Sequence, residues 1–303
     1  MAPAVVVLLI GAAILHAGWN ILLKTAEDPL RMAGRGMVVG AGVLIPAALV
    51  GWLVVGRPPI PAEAWTLALI SGLIEALYFA LLSAAYARGD LSLVYPIARG
   101  TAPVLAVAIG IVFLGERLGP VAGVGVALLL VGIVFLQRPW AILGGSAGMT
   151  PRARQAAWLA VATGVTIAAY SAVDRLGVQL VAPWLYAALI WGFTAVFLLG
   201  GIAIVDRRQR HDPGLPAEPA AVTGWGRAAV GGLVTVTAYL FVLVALANAP
   251  LSAVAPVRES AIVLVSGWGS FRLGEAATRR TAVARLTAAA VIVVGAILLA
   301  LGR

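Results

Sequence analysis

Long apolar runs broken by short polar connectors set the pattern of this chain. Ten runs can be marked, at 2–23, 33–55, 64–86, 92–114, 119–136, 156–173, 183–205, 226–247, 251–272 and 281–301. Each is near the roughly 20 residues that a helix needs to cross a bilayer. Most connectors are short, so consecutive helices are expected to be antiparallel neighbours. Two are longer: 137–155, around Gly144, Gly145, Ser146 and Pro151, and 206–224, around Arg207, Arg208, Arg210, His211 and Pro213. The first divides the chain into a five-helix unit over 1–136 and a second over 156–303. Five is odd, so the second unit enters the membrane inverted relative to the first. The predicted fold is an all-α integral membrane protein whose ten transmembrane helices form two inverted five-helix repeats.

The polar positions inside these runs repeat as well. Arg99 and Arg258 each lie in an apolar stretch, and each stands sixteen residues before a Gly-Glu pair, Gly115-Glu116 and Gly274-Glu275. The offset is 159 residues in a chain of 303, which reads as one unit written twice. An arginine at the centre of a span costs roughly 2.5–3.5 kcal/mol even on the lenient insertion scales. Bearing that cost twice, at matching positions, points to a task at the membrane midplane.

Composition agrees with the pattern. Hydrophobic residues make up 62% of the chain and charged ones 11%, with a mean hydropathy of +1.04. A water-facing surface needs about a quarter charged residues. The net charge of +9 sits in connectors, not on one amphipathic face, so the expected partner is the lipid bilayer and not nucleic acid. The absence of cysteine removes disulfides and thiolate chemistry. The first apolar run lacks a basic start and flows into a full span, so no removable signal peptide is expected. Gly36 with Gly40, and Gly119 with Gly123, have the four-residue spacing that lets membrane helices approach closely.

Arg99, about 12 Å from the start of its helix at 1.5 Å per residue, lies near mid-depth. Tyr95 is one turn before it, with Ser92 and Ala102 on roughly the same face. A guanidinium matches a carboxylate or phosphate in a bidentate fork, which makes Arg99 and Arg258 candidate docking cations. The alternative for Arg99 is an internal ion pair with Glu75 or Glu259, or capping of carbonyls freed by Pro96 and Pro103. Glu259 sits about 100° round the helix from Arg258, so the two side chains are not expected to meet. Glu75, centred in the third run with Ser71, Tyr78, Phe79 and Leu82 at helical spacing, is a candidate to carry a proton or bind a substrate ammonium group. Glu259 and His16 are further proton-coupling candidates. His16, Trp19 and Asn20 share one face, and aligning Trp19 with Tyr170 sets Asn20 opposite Ser171. The candidate substrate-binding set is therefore Arg99, Arg258, Glu75, Tyr95, Trp19, Asn20, Tyr78, Tyr170 and Ser171. Glu116 and Glu275 are expected at loop edges, pairing with Arg117 or capping the next helix. Asp174 and Arg175 read as a solvated helix-end pair.

Val94-Tyr95-Pro96-Ile97-Ala98-Arg99-Gly100-Thr101-Ala102-Pro103, running on to Leu114-Gly115-Glu116-Arg117-Leu118, resembles an EamA-type repeat of the drug/metabolite transporter superfamily. Ala255-Pro256-Val257-Arg258-Glu259-Ser260 leading to Gly274-Glu275 resembles the second EamA repeat, and His16-Ala17-Gly18-Trp19-Asn20 is similar to a subgroup of that family. The second copy departs from the first at Ile262, which stands opposite Pro103, and at Ala276-Ala277, which follow the second Gly-Glu. The resemblance implies a secondary carrier in the cell inner (plasma) membrane. It leaves the cargo open and lends the expectation of export; the two arginines point to a small anionic or zwitterionic metabolite, such as an amino acid or organic acid, moved by alternating access around a midplane cavity. Efflux of amphipathic drugs is the alternative, with an integral-membrane transferase behind it.

Enzyme chemistry has little support. His16 and His211 are far apart, there is no cysteine, and no Gly-rich loop leads into Lys-Ser/Thr, so neither a metal site, a cofactor nor an ATP-driven pump is expected. The most apolar runs, 119–136 and 281–301, are expected at the periphery or in a dimer contact, which allows a monomer or homodimer. Fifteen Lys and Arg residues flank one side of the predicted membrane and four the other. The positive-inside rule then sets both termini outside the cytoplasm, whereas the family resemblance implies both inside.

Overall fold

The computed structural model describes residues 1–89, 91–137, 150–211, 224–259 and 279–302, and all regular structure among them is helical. Ten helices follow in order: α1 (Pro3–Lys24), α2 (Pro29–Val54), α3 (Ala62–Tyr86), α4 (Leu91–Val112), α5 (Pro120–Gln137), α6 (Pro151–Gly177), α7 (Pro183–His211), α8 (Trp225–Asn248), α9 (Leu251–Glu259) and α10 (Arg279–Leu301). Seven of them, α1–α4 and α6–α8, are long and apolar enough to cross a membrane. The apolar stretches of α5 and α10 are shorter, Pro120–Phe135 and Ala290–Leu299. Beyond Glu259 the expected ninth span lies outside the described residues, as do Gly274 and Glu275.

Helix starts differ from the apolar runs where polar caps extend them. Asp28 accepts a hydrogen bond from the Arg31 amide at 2.9 Å, so α2 begins at Pro29, four residues before its apolar run. Thr150 does the same for Ala153 at 3.2 Å, and α6 begins at Pro151 instead of 156. In both, proline takes the first helical position, where its missing N–H costs nothing.

The two halves pack reciprocally. α1 lies on α8 and α6 on α3; α2 lies on α8 and α7 on α3; α4 meets α6 and α9 meets α1. Three pairs are self-related under the same exchange: α2 with α7, α4 with α9, and α5 with α10. At the α2–α8 crossing the backbones of Gly36 and Gly232 touch, so a methyl group on Gly232 would strike Gly36, and Gly40 receives the ring of Trp191. Gly119 and Gly123 have nothing within 4 Å of a Cβ position. The close approach on α5 comes instead from Gly125 and Gly132, facing Gly295 and Ile292 of α10.

Polar contacts sort the helix ends into two groups. Lys24 Nζ, ending α1, donates to the Tyr86 and Gly89 carbonyls at the end of α3, at 2.9 and 2.8 Å. Arg152 of α6 donates to Ala87 O at 2.8 Å, Arg31 of α2 pairs with Asp206 of α7 at 2.9 Å, and Arg227 of α8 reaches Leu22 O and Thr25. The second group joins other ends. Arg175, near the end of α6, donates to Leu246 O near the end of α8 at 2.5 Å, and Glu116, after α4, binds the first amides of α9. Large apolar side chains such as Val7, Val54, Val112 and Val196 face outward on the helices, where lipid accommodates them and water would not.

Candidate functional site

Pro103 has no N–H, so the carbonyl one turn earlier, that of Arg99, loses its usual helical donor; Pro256 does the same within α9. Both arginines are thus carried by helices loosened at mid-membrane. Arg99 is eight residues into α4 and Arg258 seven into α9. At 1.5 Å per residue that is about 12 Å and about 10 Å from the respective helix starts. Since α4 and α9 pack together, the two cations meet in the interior.

They meet on one carboxylate. Arg99 Nη1 donates to Glu259 Oε1 at 3.1 Å and Oε2 at 3.3 Å, while Arg258 Nε donates to Glu259 Oε1 at 2.9 Å. All three residues are buried. The expectation that Arg258 and Glu259 do not meet is corrected: the arginine stem is long enough to fold back beside its neighbour. Glu75, the other partner considered for Arg99, bonds elsewhere. Arg258 Nη1 also reaches Ser171 Oγ at 3.4 Å, and the Arg99 guanidinium stands 5.7 Å from the Tyr95 ring centroid, in cation–π range. Two guanidinium groups carry ten N–H donors and one carboxylate about four acceptor sites. The cluster therefore holds one positive charge and several donors more than Glu259 can match.

The remaining candidates surround this cluster. His16 Nδ1 bonds to Ala12 O at 2.8 Å, and the ring lies within electrostatic reach of Arg99 and Arg258. Asn20 donates to His16 O at 2.8 Å and accepts from Tyr86 OH at 2.7 Å, tying α1 to α3. Trp19, Phe79, Tyr78, Tyr170, Tyr239 and Trp191 form a continuous series of ring contacts through the core, with centroids 5.0–6.5 Å apart. Glu75 accepts from Thr194 Oγ1 at 3.2 Å.

Asp174 corrects the sequence reading. It is 0% exposed, and its carboxyl accepts from Ser71 Oγ at 2.5 Å and Tyr239 OH at 2.6 Å. α6 continues to Gly177, so Asp174 stands almost a turn inside the helix and not in solvent. Its neighbour Arg175 turns away, toward Leu246 O and Glu116. The available signal was spacing: Asp174 follows Tyr170 by four and Ser171 by three, the same face as two chosen residues.

Glu116 also differs from expectation. Gly115, at φ +63°, turns the chain after α4, and Glu116 accepts from the Leu251 and Ser252 amides at 2.6 and 2.8 Å. It caps α9 of the other half, not the following helix, and its cation neighbour is Arg175 at 3.7 Å instead of Arg117.

Membrane-crossing helices that surround a buried charge cluster define a multi-pass membrane protein with a polar centre. Residues 3–138 match the EamA-like transporter family. That match, over the first of the two halves, is what the chain shares with the EamA-type transporters of the drug/metabolite transporter superfamily. No curated protein matches the chain. A crystal structure of a protein superposes with a TM-score of 0.66 at 22% identity, over 99% of this chain and 98% of that one, a likeness in fold.

Proposed function

We propose that the protein is a secondary carrier that moves a small anionic or zwitterionic metabolite, such as an amino acid or organic acid, outward across the cell inner membrane. One observation carries the reading: two buried arginines, one from each half, share a single carboxylate and leave one positive charge unmatched. A substrate carboxylate would take the donors that Glu259 leaves over, or displace Glu259 from one guanidinium. An unmatched cation inside a membrane is expensive unless a passing anion uses it.

The reciprocal packing supports two inverted five-helix repeats crossing the membrane ten times. Helix ends that bond to each other fall on one side under that topology: α1, α3 and α7 end where α2, α6 and α8 begin. The ends of α4, α6 and α8 meet the start of α9 on the other. Lys24 and Arg175 then act as matching latches on opposite faces, each holding the end of the third helix of a repeat, as alternating access requires. The aromatic series from Trp19 to Trp191 favours a second reading, efflux of amphipathic drugs.

Proteoliposome uptake decides between them. Amino acids, organic acids and amphipathic dyes are offered in turn across an imposed pH gradient. Saturable uptake of a carboxylate-bearing solute, lost in Arg99→Ala, supports the first reading. Dye transport that is indifferent to Arg99 supports the second.

A further inference from the structure

Beside the arginine cluster lies a second polar centre with the opposite sign. Glu75 on α3 and Asp174 on α6 are 5% and 0% exposed and close enough to repel each other. The described hydrogen bonds to them come from hydroxyl groups: Ser71 and Tyr239 to Asp174, Thr194 to Glu75. Tyr239 also interacts with Glu75, so it bridges the two. The guanidinium bonds of Arg99 and Arg258 go to Glu259 and Ser171.

An independent feature points into the same place. Tyr186 of α7 is fully buried, and its hydroxyl has no hydrogen-bond partner among the described residues. That hydroxyl lies over Gly177, three residues after Asp174 and on the same helix face, within electrostatic reach of both carboxyl groups. Trp191 Nε1, on a ring packed against Tyr239, is likewise buried without a partner. The Tyr186 hydroxyl is thus a spare hydrogen-bond group beside two carboxyl groups.

Two bare carboxylates in a low-dielectric interior repel strongly, and each carries a desolvation cost of several kcal/mol. One positive charge between them removes most of that. A hard metal cation needs six or more inward oxygen lone pairs, whereas here hydroxyl donors already occupy the carboxyl oxygens. A proton needs only one lone pair on each side, and the 2.5 and 2.6 Å contacts at Asp174 belong to strong charge-assisted hydrogen bonds.

We propose that Glu75 and Asp174 together form a site for one exchangeable proton, with the Tyr186 hydroxyl as the group that exchanges hydrogen bonds with the pair as the proton enters and leaves. Its part in transport rests on the carrier reading above, but its chemistry stands without it. The titratable and charged groups facing the pair are Tyr78 of α3, Tyr170 of α6, Tyr186 of α7, Tyr239 of α8 and Arg258 of α9. Arg99 and Arg258 in turn lie within electrostatic reach of Tyr78, Tyr170 and His16.

Infrared difference spectroscopy of the purified full chain tests this without any substrate. The carbonyl-stretch band of a protonated carboxylic acid is followed as pH is stepped, in the native chain, Glu75→Gln, Asp174→Asn and the double variant. The expected result is a band that titrates in the native chain, has a displaced midpoint in both single variants and is absent from the double. A band that survives the double variant, or shifts in only one single variant, overturns the shared site, because the proton then belongs elsewhere or to one carboxyl alone. Bleaching of the band by sodium at constant pH overturns it in favour of a cation site. Should a carboxyl variant fail to fold, Tyr186→Phe removes one hydroxyl and keeps the ring. A displaced midpoint there supports the site, and an unmoved one refutes it. Because no transport is measured, failure here is distinct from failure of the carrier reading.

Discussion

Replacing Glu259 with glutamine should damage the protein more than replacing Arg99 with alanine, although both break the same ion pair. The reason is the sharing of one carboxylate. In Arg99→Ala, Glu259 keeps its 2.9 Å bond to Arg258, so a neutral pair remains. The loss is then about 1.5–3 kcal/mol, the range for hydrogen bonds to charged groups. In Glu259→Gln, two buried guanidinium groups face each other with no anion between them. Breaking a buried pair from that side costs about 3–5 kcal/mol. The gap, about 2 kcal/mol, is roughly thirtyfold in a folding equilibrium. Thermal unfolding of detergent-solubilised protein, scored by loss of the monodisperse gel-filtration peak, should rank native, then Arg99→Ala, then Glu259→Gln. If Arg99→Ala melts as low as Glu259→Gln, the shared-carboxylate account is wrong. The milder variant also serves for function: folded Arg99→Ala should fail to accumulate the anionic substrate. Arg99→Lys, which keeps charge without the bidentate fork, should transport with weakened apparent affinity.

Other consequences follow from particular contacts. Gly232→Leu should abolish folded protein, since the side chain would enter the backbone of Gly36, whereas Gly123→Ala, with open space around it, should alter the melting temperature little. Glu116→Ala removes the carboxylate that caps α9 and should cost about 1–2 kcal/mol, visible as a lowered melting temperature. The chain has no cysteine, so single reporter cysteines can be introduced without background. With that reporter system, Lys24→Gln should raise labelling from the side where α1 ends, and Arg175→Gln from the opposite side. Equal labelling changes from both sides in either variant would contradict a latch on each face.

The order of helices and the position of the buried arginines were legible in the sequence, because both depend on local quantities. A span is set by the length of an apolar run against the thickness of a bilayer, and an arginine inside such a run is costly wherever the helix packs. The doubled Arg and Gly-Glu spacing likewise needed no partner to be seen. What each charge touches was another matter. Glu259, not Glu75, takes Arg99 because α4 meets α9, a contact between segments 160 residues apart. Asp174 beside Arg175 looks like a solvated pair in sequence, yet Tyr239 of α8 and Tyr186 of α7 close over it. Glu116 sits in a turn that any loop reading would call exposed, but it caps a helix of the other half. Periodicity shows which face of a helix a residue occupies; only the packing of the two halves decides what that face meets, because buried polar groups take partners from whichever helix arrives.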